Sequence, residues 1–90
     1  MEIRMISKSV TVANNVGLHA RPATYFIQKT NSYASSVWIE CDCGKVNAKS
    51  LLGVLSLGIT NGYTVEISAD GADEQDAVDG LCDLLENGLN

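Results

Sequence analysis

The sequence predicts a two-layer α+β domain, a four-stranded sheet carrying helices on one face. Three observations point there. Four short stretches read as strands, three carry apolar residues at helical spacing, and turn residues separate them. In chain order the elements run strand, helix, strand, strand, helix, strand, helix, and such an order lets one sheet bury one face beneath helices.

The first strand is predicted over Ile6–Val12, where Ile6, Val10 and Val12 alternate with Ser7, Ser9 and Thr11, and Lys8 is the misfit on the apolar side. Ala13-Asn14-Asn15-Val16-Gly17 reads as a loop. A helix follows from Ala20 to about Ser32, with Ala23, Phe26, Ile27 and Thr30 spaced three and four apart. Ser35–Cys41 alternates again and buries Val37 and Ile39, or Trp38 if the register shifts by one. Asp42-Cys43-Gly44-Lys45 is a turn, and Val46-Asn47-Ala48 returns as the partner strand of a hairpin.

Ser50 then opens a short helix, because a serine oxygen can accept from a free amide of the first turn. Gly58 ends it in the left-handed position that helix ends favour. Val54 and Leu57 are predicted to face inward, leaving Leu51, Leu52 and Leu55 on another face. Tyr63–Ala69 is the last strand, burying Val65, Ile67 and Ala69. The last helix spans Asp73–Asn87, with Ala77, Leu81, Leu84 and Leu85 inward and Cys82 on the same apolar stripe. Asp73, Glu74 and Asp76 in its first turn complement the helix dipole.

Composition narrows the function. Ninety residues at 46% hydrophobic content suffice for one domain over 1–90 with a modest core. No run approaches the eighteen or so apolar residues of a membrane span, and the first residues lack the apolar core of a secretory signal, so a cytoplasmic protein is expected. A net charge of −5 argues against nucleic-acid binding. Seven of the eleven acids fall between Asp70 and Glu86, whereas Arg21, Lys29 and Lys49 flank the two motifs described next. Three cysteines suggest no disulfide framework, and Cys41 and Cys43, two apart on an extended chain, are poorly placed to bond to each other. No set of metal ligands is evident, and no cofactor is expected.

Gly17-Leu18-His19-Ala20-Arg21-Pro22-Ala23 holds the sole histidine and the sole proline. Proline suits a first helical turn, so His19 is expected at or just before a helix start. Free amides and the positive end of the helix dipole gather there, and both favour an anion. Arg21 adds a guanidinium able to hold a phosphate through two parallel hydrogen bonds. In that field the imidazole is more often neutral and nucleophilic. His19 is therefore a candidate phosphoryl acceptor, weighed against a histidine that merely caps the helix.

This motif resembles the active-site signature of HPr, the histidine-containing phosphocarrier of the bacterial phosphoenolpyruvate:sugar phosphotransferase system. Val46-Asn47-Ala48-Lys49-Ser50-Leu51-Leu52-Gly53-Val54-Leu55-Ser56-Leu57-Gly58 resembles the regulatory-serine segment of the same family. The resemblance extends from about Lys8 to Leu89. It implies an open-faced β-sandwich, an antiparallel sheet in the order first, fourth, second, third. It implies that His19 accepts a phosphoryl group on Nδ1 from phospho-enzyme I and passes it to sugar-specific enzyme IIA domains. Arg21, with Ala20 and Gly17, would stabilise that phosphate. Ser50 matches the serine modified by HPr kinase/phosphorylase, whose product binds a catabolite control protein. Leu51, Leu52, Leu55, Lys49 and Lys29 would dock partners. The chain would be a monomeric, stoichiometric carrier rather than an enzyme. Two rivals are weighed against it: a regulatory binding module acting through Ser50 and the leucines, and the nitrogen-branch phosphocarrier.

Overall fold

A computed structural model describes residues 5–12, 20–42, 44–59 and 62–87; the side chains of residues 20–22 and 87 are not described. Four strands, β1 (Ile6–Thr11), β2 (Ser36–Cys41), β3 (Gly44–Asn47) and β4 (Thr64–Asp70), form one antiparallel sheet in the order β1-β4-β2-β3. Helices α1 (Ala20–Asn31), α2 (Leu51–Ser56) and α3 (Glu74–Asn87) cover one face of it. The strand order is the one that the resemblance implies.

Alternation decides which face is covered. Val10 lies opposite Val65, and Val37 and Ile39 lie opposite Ala69 and Ile67, all of them buried. The inward register of β2 is therefore that of Val37 and Ile39; Trp38, opposite Ser68, belongs to the uncovered face with Lys45 above its ring at 5.9 Å. Ala23, Phe26 and Thr30 close the core from α1, and Ala77, Val78, Leu81, Cys82 and Leu85 from α3. The buried Thr30 hydroxyl donates to the Phe26 carbonyl at 2.7 Å, so its burial leaves no donor unpaired.

Some boundaries depart from the sequence reading. Strand β3 starts at Gly44 instead of Val46, because Cys41 pairs with Gly44 and the ladder runs to the tip of the hairpin. Asp73 precedes α3 rather than joining its first turn: its carbonyl accepts from the Ala77 amide at 2.9 Å, and its carboxylate is engaged elsewhere. That carboxylate accepts from the amides of Ala34 and Ser35, both at 2.9 Å, and from the Ser35 hydroxyl. It thus pins the α1–β2 turn to the start of α3.

Of the cysteines, Cys82 meets the expectation and Cys41 does not. Cys82 is free and buried, and burial pushes its thiol pKa up, as a small core residue requires. Cys41, in contrast, is disulfide-bonded. The sequence reading expected no disulfide framework; β2 ends at Cys41, and Asp42 is in the turn that reading foresaw. Cys43 lies outside the described residues.

Candidate phosphoacceptor site and Ser50 corner

The site is organised by the start of α1. That helix begins at Ala20, so residues 20–22 form its first turn, where Pro22 needs no amide partner. His19 and Gly17 lie outside the described residues, as does the Arg21 side chain. The first-turn amides of α1 are those that the sequence reading assigned to an anion.

Ser50 is the N-cap of α2. Its backbone is extended (φ −100°, ψ 114°), its Oγ accepts from the Gly53 amide at 3.1 Å, and its carbonyl accepts from Val54 at 2.9 Å. Asn47 Oδ1 accepts from the Lys49 amide at 2.9 Å, which shapes the approach to the cap. Gly58, with φ at +62°, follows the helix as the left-handed residue foreseen from the sequence.

Lys49 is already engaged. Its Nζ donates to the Tyr33 carbonyl at 2.9 Å, tying the Ser50 corner to the segment that follows the C-terminal end of α1. The first turn, with residues 20–22, is at the other end of that helix. Among the described residues, the Ser50 corner is thus linked to the C-terminal end of α1, and α1 packs against α2.

The leucine face divides. Leu52 is 81% exposed and Leu51 38%, while Val54 and Leu57 are buried as foreseen. Leu55 is half-buried and packs against the core, because it stands beside Val54 on the side of α2 turned toward the sheet. Lys29 does not join the leucines. Its ammonium lies 5.6 Å from the Tyr33 ring centroid and its side chain turns toward α3. Sequence spacing could not show this, since α1 has α2 on one flank and α3 on the other.

The model of the PTS-HPr family, described as PTS HPr component phosphorylation site, matches residues 6–87. This chain belongs to the HPr family. It is 44% identical over 82 residues to the HPr-like protein Crh of Halalkalibacterium halodurans, covering 91% of this chain and 98% of that one. The crystal structure of phosphocarrier protein HPr from Bacillus anthracis superposes with a TM-score of 0.89 at 38% identity, covering 91% and 98% of the two chains. Crh of Bacillus subtilis, a catabolite-repression protein solved as a dimer with a swapping domain, gives a TM-score of 0.74 at 42% identity over 88% and 91%. HPr-family resemblance thus extends to both phosphocarriers and a regulatory branch.

No helix among the described residues is long and apolar enough to cross a membrane. No group of three or more metal-ligating side chains occurs among them either.

Proposed function

We propose that this chain is a phosphocarrier that accepts a phosphoryl group on His19 Nδ1 from phospho-enzyme I and delivers it to sugar-specific enzyme IIA domains. The observation that carries this reading is the start of α1 at Ala20, directly after the histidine of the His19-Ala20-Arg21-Pro22 motif. Neutral imidazole attacks phosphorus through Nδ1. The new P–N bond forms as the bond to enzyme I breaks, and Nε2 keeps its proton. The first-turn amides, Gly17 and the Arg21 guanidinium then offset the phosphoryl charge. Stabilisation must stay modest, because a carrier that held its phosphate tightly would not release it to the next partner.

Ser50 is a second, regulatory position in this reading. A phosphoserine at an N-cap places nearly two negative charges where the helix dipole favours them, so the fold tolerates the modification. The same charge beside exposed Leu51 and Leu52 weakens an apolar docking contact and creates a site for a basic partner such as a catabolite control protein. The chain itself needs no second general acid or base; it is a stoichiometric substrate of other enzymes, monomeric and cytoplasmic, in this proposal.

The test is incubation with enzyme I and radiolabelled phosphoenolpyruvate. An acid-labile, alkali-stable label that disappears in His19→Ala supports the carrier. No label with active enzyme I leaves the regulatory binding module. Ser50 is tested separately with HPr kinase and ATP, reading acid-stable label lost in Ser50→Ala.

A further inference from the structure

We propose that the uncovered face of the sheet is a docking site for a partner protein segment that presents an arginine, whose guanidinium is received by Glu40 and Glu66. Register builds the site. Across the four strands one row reads Ser9, Glu66, Glu40 and Lys45, on the face that the helices leave open. Glu40 and Glu66 are directly opposed on neighbouring strands. Their Cβ atoms are therefore about 5 Å apart, and like charges so placed repel each other. Lys45 lies opposite Glu40 and is the cation that register offers, yet its ammonium sits over the Trp38 ring, 5.9 Å from the centroid. Among the described residues neither carboxylate has a hydrogen bond or an ion pair. Both are half-buried.

Ser68 adds an independent sign. It is only 3% exposed and stands on the same open face, between Ser7 and Trp38. Its hydroxyl has no hydrogen-bond partner among the described residues. Such a group is uncommon in a folded chain, because it gives up water and receives nothing in exchange. Ser68 and Glu66 are consecutive on the outward side of β4, so a ligand on the carboxylates comes within reach of that hydroxyl. Ser9, Glu40, Thr64 and Glu66 also line a hollow of about 240 Å³.

The lining selects the ligand. It offers two carboxylates and several hydroxyls, all able to accept. A guanidinium carries five N–H donors in a planar fork and no acceptor, which suits two carboxylates side by side; an ammonium is a point charge. Calcium seeks six or more oxygen ligands, whereas no group of three or more ligating side chains occurs among the described residues. Trp38 supplies an aromatic flank, and Lys45 already rests on it as a cation would. The helices lie on the other face, so a partner seated here leaves the Ser50 corner and the start of α1 uncovered. The proposal does not rest on phosphoryl transfer.

The test is a titration of the isotope-labelled full chain with the peptide acetyl-Gly-Arg-Gly-Arg-Gly-amide, followed by amide and indole NMR signals. The same peptide with lysine or citrulline in place of arginine runs in parallel. The expected result is saturable shifts centred on Ser9, Trp38, Glu40, Glu66 and Ser68. The lysine peptide binds about threefold or more weakly, and the citrulline peptide does not bind. Glu40→Gln and Glu66→Gln each weaken the arginine peptide by about fivefold or more. Both variants stay folded, with urea midpoints at or above that of the parent, because the repulsion is relieved. Asp76→Asn with Asp79→Asn, on the acidic α3, leaves the affinity unchanged. Shifts centred on α3, lysine or citrulline peptides that bind as well as arginine, or glutamine variants that bind like the parent overturn the proposal. So does magnesium chloride that moves the same signals at lower concentration, which assigns a metal. Shifts of these signals with protein concentration alone assign a second copy of the chain and overturn it too.

Discussion

Gly71 stands so close to Ser35 that a Cβ built on it would meet the Ser35 Cα at 2.7 Å. Its φ of +156° also lies where side chains are rarely tolerated. This contact lets the β4–α3 turn fold onto the α1–β2 turn, where Asp73 collects the Ala34 and Ser35 donors. Gly71→Ala is therefore expected to lose roughly 2–4 kcal/mol, strain and overpacking together. The midpoint of urea unfolding, at unchanged slope, measures it.

The Asp73 carboxyl is held below its ordinary pKa, first by the Ser35 hydroxyl and then by the Ala34 amide. A folded pKa beneath the unfolded one means the group stabilises the fold fully above the unfolded value, about 3.9. That contribution is lost as pH falls through the folded value. Urea midpoints should fall as acid is added below about pH 4. Asp73→Ala should be less stable near neutrality and show a shallower acid slope; an unchanged slope would remove Asp73 from the account.

Ser50→Ala should cost about 1 kcal/mol, since the Gly53 amide loses its acceptor. Ser50→Asp should restore most of that stability, because a carboxylate also caps and suits the helix dipole. Under the proposed function it should nonetheless slow phosphoryl transfer from enzyme I. A Ser50→Asp chain equal to the parent in that assay would detach the serine from the relay.

Two leucines separate docking from packing. Leu52→Ala, at a position 81% exposed, should change stability by no more than about 0.5 kcal/mol while, under the proposed function, raising the KM of enzyme I for the chain. Leu81→Ala, fully buried in α3, should cost about 2–5 kcal/mol. Thermal melts and transfer kinetics on the two variants form the comparison.

Helix α1 was legible to within a residue, because Pro22 marks its start and Ala23, Phe26 and Thr30 keep one period. The β4 inward set of Val65, Ile67 and Ala69 was equally plain from alternation. What could not be read was set by tertiary neighbours. Trp38 left two registers open until β4 placed Ser68 opposite it. The Leu55 face depended on how α2 lies on the sheet, and the direction of Lys29 on which helix flanks it. Family motifs named His19 and Ser50 as a pair, yet only packing shows that Lys49 binds the Ser50 corner to the distal end of α1.

The order β1-β4-β2-β3 puts the last strand made at the heart of the ladder. Until residue 70 has left the ribosome, the β2–β3 hairpin and β1 have no strand to join them, and β1 has no ladder partner at all. Closure of the sheet must therefore await near-complete synthesis, and a chain truncated before Thr64 should leave β1 unpaired instead of giving a weakened protein.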